Sequence, residues 1–168
     1  LPINRKQKVF PNGTLVIENV ERMSDQATYT CVAKNSQGYS VRGNLELQVM
    51  VTPNILPFTF GEKPANFGEY LQASCTINLG DLPLTITWMF NGQPISQRNN
   101  EYVLTNSRRS SLLIIESVDA KHAGSYTCIG ENRAGRSTFS SDLVVYVPPR
   151  WILEPTDKAF AQGSDAKV

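Results

Sequence analysis

Two stretches of the chain are near copies of one another, and this repeat restricts the fold more than any bulk property does. The first reads Tyr29-Thr30-Cys31-Val32-Ala33-Lys34-Asn35-Ser36-Gln37-Gly38; the second reads Tyr126-Thr127-Cys128-Ile129-Gly130-Glu131-Asn132-Arg133-Ala134-Gly135. Their cysteines lie 97 residues apart (31 to 128). Upstream of each runs the same L-x-I-x-x-V pattern, Leu15/Ile17/Val20 and Leu113/Ile115/Val118. A period of this size is the length of a whole small domain and far exceeds a solenoid repeat, so the chain reads as similar domains in series.

Within each unit the apolar residues alternate with period two, and turn formers punctuate them at Asn12-Gly13, Asn35 to Gly38, Asn91-Gly92 and Asn132 to Gly135. Asn-Gly between apolar runs is a hairpin signal, because both positions tolerate positive φ. Helical patterns of useful length are missing, so an all-β sandwich is expected. The 168 residues are 40% hydrophobic with a formal charge of +1, which describes globular material and gives no basic footprint for nucleic acid. No apolar run approaches the roughly 18 to 20 residues of a membrane span, and LPINRKQKVF lacks the apolar centre of a signal peptide.

In the middle of the chain Cys75 is followed by Trp88, Tyr126 and Cys128, with the tyrosine two residues before the second cysteine. This constellation resembles an immunoglobulin domain. The resemblance implies a disulfide between Cys75 and Cys128 joining two sheets, Trp88 packed against it, a tyrosine corner at Tyr126, and Leu113 and Ile115 in the core. Zinc is the rival for paired cysteines, but three thiols and one histidine without C-x-x-C spacing make a poor site, and no metal or cofactor is expected. Cys31 has the corner tyrosine and no upstream partner; its partner is expected outside the chain. The units expected are the C-terminal part of one domain at 1–51, a complete domain at 52–148, and the first strand or strands of a third at 149–168. Pro148-Pro149-Arg150-Trp151-Ile152 repeats the role of Val51-Thr52-Pro53-Asn54-Ile55 as junction and first strand.

The short proline-bearing first strands and the A/G-x-N-x-x-G hairpins resemble tandem I-set immunoglobulin domains. The wording "KVFPNGTLVIENVERMSDQATYTCVAKNSQGYSVRGNLELQV" followed by "TPNILPFTFGEKPANFGEYLQASC" is similar to the arthropod Down syndrome cell adhesion molecule (Dscam) family over the whole chain. The correspondence runs from the end of the sixth immunoglobulin domain through the seventh to the start of the eighth. That resemblance implies a modular adhesion rod. Its seventh domain comes from a bank of alternative exons, and each variant binds its own kind on an opposing cell, in neuronal self-recognition and wiring and in immune recognition. The implied partner is a second copy of the chain in an antiparallel two-fold contact; other guidance ligands or microbial surfaces are the heterophilic alternative. A titin-like intracellular array would share the sandwich and short linkers. An enzyme is not expected: the chain has one histidine, no G-x-S-x-G and no phosphate-binding glycine loop, and Glu62, Asp81 and Asp119 read as exposed loop acids.

The implied disulfide argues for an oxidising compartment and for the extracellular part of a plasma-membrane protein or a secreted form; its 53-residue loop (75 to 128) should contribute about 4 kcal/mol in the chain-entropy model. The sequon Asn12-Gly13-Thr14 is a candidate glycosylation site, though Asn-Gly before a strand also reads as a plain turn.

One strand breaks the alternation. In Ser110-Ser111-Leu112-Leu113-Ile114-Ile115-Glu116 four apolar residues run together. If Leu113 and Ile115 face the core, Leu112 and Ile114 must point away from it. On the strand bearing Cys75, Leu71, Ala73 and Ile77 should face in with the cysteine, leaving Gln72, Ser74, Thr76 and Asn78 outside. The candidate homophilic face is therefore Gln72, Ser74, Thr76, Asn78, Leu112, Ile114 and Glu116. Parity across Glu101-Tyr102-Val103-Leu104 is not fixed by the sequence. I-set domains carry an aspartate four residues before the corner tyrosine; Asp25 fills that place in the first unit, while the second has His122, expected as a surface loop residue.

Overall fold

The computed structural model describes residues 5–98, 100–150 and 155–167. Residues 53–146 form a sandwich of two four-stranded sheets. The first has the order β10-β11-β7-β5: β5 (Asn54–Ile55), β7 (Leu71–Leu79), β10 (Val103–Asn106) and β11 (Ser110–Ile115). The second runs β13-β12-β8-β9, from β8 (Thr85–Phe90), β9 (Gln93–Pro94), β12 (Gly124–Asn132) and β13 (Gly135–Leu143). A parallel pair, β6 (Ala65–Asn66) with β14 (Val145–Tyr146), closes one edge. The remaining strands precede the sandwich: hairpin β1 (Gln7–Val9) with β2 (Leu15–Ile17), and β3 (Ala27–Lys34) with β4 (Ser40–Leu47), separated by a one-turn helix α1 (Arg22–Asp25).

The core forms where the inward residues of the two sheets meet. Cys75 on β7 and Cys128 on β12 are joined by a disulfide with Cα atoms 6.3 Å apart. Trp88 lies beside Cys128 in register on β8 and is 3% exposed, its indole N–H donating to Ser111 Oγ at 2.9 Å. That bond satisfies the one polar group a buried tryptophan brings inside. Phe58 and Phe60, from the segment after β5, pack on Trp88 and Tyr126 with ring centroids 5.1 and 4.9 Å apart.

Tyr126 is fully buried and donates its hydroxyl to the His122 carbonyl oxygen at 2.7 Å. Tyr29 makes the same bond to Asp25 at 2.8 Å, so the corner recurs in both units. His122 is not the surface residue expected from sequence; it is 3% exposed. The 3-10 turn Ala120–His122 tucks beneath the sheet to present its carbonyl to Tyr126, which carries the side chain inside. There His122 Nδ1 accepts the Asp119 backbone N–H at 2.8 Å, while Asp119 accepts from Ala120, a capping box that removes Asp119 from the free loop acids as well. In the first unit the equivalent Asp25 is 2% exposed, accepts from the Glu21 N–H, and pairs with Lys6 at 2.5 Å. The Lys6 hydrogen bond holds the Asp25 carboxyl below the usual carboxylate range, and Lys6 is raised in return.

In the first unit Leu15 and Ile17 are half-buried, Val32 is exposed, and Cys31 is free and exposed. Of the segment 149–168, residues 151–154, which include Trp151 and Ile152, lie outside the described residues, and 155–167 form no strand.

Asp81 also differs from its sequence expectation. It accepts the Val51 N–H at 2.6 Å and an ion-paired hydrogen bond from Arg22, while Asn132 donates to the carbonyls of Val51 and Asp81 at 2.8 and 3.0 Å. The segment between the units is thereby held from both sides.

Candidate functional site

The β10-β11-β7-β5 sheet turns its inner face to the core and its outer face to solvent. The burial along β11 alternates without exception: Ser111, Leu113 and Ile115 are buried, and Ser110, Leu112 and Ile114 are half-buried. On β7, Ala73, Cys75 and Ile77 are buried and Leu71 packs against the core, while Gln72, Ser74 and Asn78 are exposed and Thr76 half-exposed. Four consecutive apolar residues thus serve two faces of one strand.

Antiparallel register assembles the outer side chains into rows. Ile114 stands between Gln72 and Val103; Leu112 stands between Ser74 and Thr105. Residues directly opposite in such a ladder have Cβ atoms about 5 Å apart, so each row is a continuous strip. Ser74 and Thr76 hydroxyls lie 3.3 Å apart, and Asn54 donates to Asn78 at 2.9 Å, extending the strip across the sheet. Tyr70 closes it next to Gln72, its hydroxyl 3.3 Å from the Gln72 amide oxygen.

Val103 and Thr105 are members that the sequence left open. A signal for them existed: the turn Ser107 to Ser110 closes with the Ser107 N–H donating to the Ser110 carbonyl at 2.8 Å, around Arg108-Arg109. A two-residue loop fixes hairpin register. Counting back from Leu113 through it sets Leu104 opposite Leu113, although at this sheet edge Leu104 stays 39% exposed, and sets Val103 and Thr105 opposite the outward Ile114 and Leu112.

The central rows carry no charge. Charges sit at the ends, with Glu116 just beyond β11 at one and the exposed Arg108 at the hairpin turn at the other. Arg109 is engaged elsewhere, donating to the Gly80 carbonyl at 3.0 Å. No group of three or more histidine, cysteine or acidic side chains able to hold a metal occurs among the described residues, and none of their helices is long and apolar enough to cross a membrane.

Residues 53–132, which contain the disulfide, the buried tryptophan and the tyrosine corner, match the immunoglobulin domain family. The chain belongs to the immunoglobulin superfamily. Along its whole length it is 63% identical to the cell adhesion molecule Dscam1 of Drosophila melanogaster, of which it spans 8%. A solved structure of the N-terminal eight immunoglobulin domains of Down syndrome cell adhesion molecule, isoform 1.30.30, matches 99% of the chain at 64% identity and a TM-score of 0.69, and the match spans 21% of that structure. A Dscam1 Ig7 domain, isoform 9, is matched over all of its length and 56% of this chain, at 44% identity and a TM-score of 0.54.

Proposed function

We propose that the chain is part of the extracellular region of a cell-surface adhesion receptor, and that its middle unit recognises a second copy of the same variant on an opposing cell. Residues 1–51 are then the end of one immunoglobulin domain, 52–148 a complete one, and 149–168 the start of a third. The observation that carries the reading is the uncharged strip around Leu112 and Ile114 with opposite charges at its two ends. A two-fold axis through the middle of that strip sets each Ile114–Leu112 patch against its counterpart. It also brings the Glu116 end of one copy to the Arg108 end of the other, which is what an antiparallel self-contact requires.

The energetics fit a weak module in a longer array. Complete burial of one such aliphatic side chain is worth about 1.5 to 3 kcal/mol, and association costs consume much of the total. Linked domains offset this, because once one pair has formed the next binds at high effective concentration. Discrimination between variants follows from symmetry: a single changed side chain is met twice in each contact. The self-adhesion reading is favoured over a heterophilic receptor by the complementary ends of one and the same face.

Charge exchange tests the antiparallel contact. In the ectodomain, Glu116→Arg alone and Arg108→Glu alone should each weaken self-association, and the two together should restore it toward the starting affinity. Additive weakening in the double variant would refute the antiparallel pairing.

A further inference from the structure

The hairpin joining β1 and β2 in the first unit has a geometry that the adhesive face does not use. Its loop is Phe10-Pro11-Asn12-Gly13-Thr14. The Gly13 N–H donates to the Phe10 carbonyl at 2.9 Å, closing a turn with Pro11 and Asn12 at its centre, and the Phe10 N–H donates to the Thr14 carbonyl at 2.8 Å. Gly13 has φ +87°. This is a three-residue hairpin loop in which a tight turn is followed by a left-handed glycine, and proline at the second turn position presets the required φ. Asn12 Oδ1 accepts the Thr14 N–H at 3.0 Å, and its Nδ2 makes no hydrogen bond among the described residues.

Three features converge here. Asn12-Gly13-Thr14 is the only N-x-S/T sequon in the chain, and Asn12 is exposed. Its side chain is held through Oδ1, so the nitrogen that would bear a sugar is the end left in solvent. Phe10 is 48% exposed, and the ladder Gln7↔Ile17, Lys8↔Val16, Val9↔Leu15 continues to set Phe10 opposite Thr14. Cross-strand partners share a face, so the Phe10 ring and the Thr14 side chain stand together beside the Asn12 position, on the face opposite Leu15 and Ile17. The flat face of the half-exposed Phe10 ring suits the apolar C–H face of a pyranose.

We propose that Asn12 carries an N-linked glycan and that Phe10, flanked by Thr14, is the platform on which the first N-acetylglucosamine lies. The modification joins Asn12 Nδ2 to the anomeric carbon of a polyprenyl-diphosphate-linked oligosaccharide; the carbon–oxygen bond to the diphosphate breaks, the lipid diphosphate leaves, and the amide loses one proton. The proposal rests on the extracellular reading above, because only the secretory route supplies this donor. One consequence concerns adhesion. Thr14 and Val16 occupy the places that Leu112 and Ile114 take in the middle unit, so a sugar here covers the corresponding face of the first unit and leaves the middle unit's face as the bare one.

The test uses the full ectodomain secreted from insect cells. Glycopeptide mass spectrometry should find Asn12 occupied. Hydrogen exchange of the peptide spanning residues 8–17 should quicken by about 2- to 10-fold when an amidase removes the glycan, which is what a ring-face contact as strong as an aromatic pair would give. The amidase leaves aspartate at position 12, which still accepts from Thr14, so the turn is preserved. The glycan-dependent difference should vanish in Phe10→Ser and persist in Phe10→Tyr, which keeps the ring face. An unoccupied Asn12, or equal glycan-dependent protection in Phe10→Ser and the parent, overturns the proposal. Neither result bears on self-association through Ile114, which is read in a separate experiment.

Discussion

The Arg22 guanidinium of the first unit donates to the Asp81 carboxylate of the second, an ion pair between residues 59 apart in sequence. Around it, Arg22 also donates to the Val49 carbonyl at 3.0 Å, and Asp81 and Asn132 hold both polar groups of Val51. Each of these bonds ties the segment around Val51 to a neighbouring unit, and together they form a clasp at the joint.

Removing the hub should loosen the clasp more than removing one arm. Asp81→Ala loses the carboxylate's bonds to both Arg22 and the Val51 N–H, leaving only the bonds to the Val51 carbonyl, whereas Arg22→Ala leaves both polar groups of Val51 held by Asp81 and Asn132. Distances between spin labels on β3 and β12 in the full-length protein should therefore broaden strongly for Asp81→Ala and slightly for Arg22→Ala. Equal distributions in both would show that the clasp does not set the angle.

Acid should loosen the same joint. The Val51 N–H bonded to Asp81, with Arg22 nearby, holds the Asp81 carboxyl below its ordinary 3.8. A depressed carboxylate stabilises the folded arrangement fully above its unfolded value and loses that contribution as pH falls through the lower folded value. The label distances should stay constant from neutrality to about pH 4 and broaden below it. Broadening that begins near pH 6 would point to another group.

Neighbours on β11 should respond in opposite ways. Ile115 is 1% exposed, so Ile115→Ala should cost about 2 to 5 kcal/mol in urea denaturation. Ile114 is half-buried on the outer face, and Ile114→Lys should leave stability within about 1 kcal/mol of the parent. Comparable losses in the two would mean that the outer face is part of the core.

Gly130 on β12 faces the interior, where an added Cβ would come 2.5 Å from Ile77 Cδ1 and 3.6 Å from Ile55 Cδ1. Gly130→Ala should destabilise the sandwich by about 1 to 3 kcal/mol, and pairing it with Ile77→Val should recover part of the loss. An unchanged denaturation midpoint for Gly130→Ala would contradict this packing.

The parts of the fold that could be read in the sequence are those that strict alternation controls. Cys75 and the L-x-I repeat fix parity on β7 and β11, so Ala73, Ile77, Leu113 and Ile115 could be placed inside and Leu112 and Ile114 outside. Val103 and Thr105 escaped because β10 has no hallmark residue of its own; its register comes from a short serine-arginine turn whose length had to be recognised first. His122 misled because histidine in a polar loop is usually exposed, whereas here a backbone bond to Tyr126 draws it inside. Asp81 and Asn132 act on the backbone of Val51, across dozens of residues, and no local pattern encodes such contacts.

Self-association through the outer face is the central claim, and sedimentation equilibrium of the full ectodomain beside its Ile114→Lys variant, over a wide concentration range, tests it most directly. The account predicts a concentration-dependent dimer in the parent and a monomer in the variant, with matching denaturation curves. A folded Ile114→Lys protein that dimerises as tightly as the parent would contradict it.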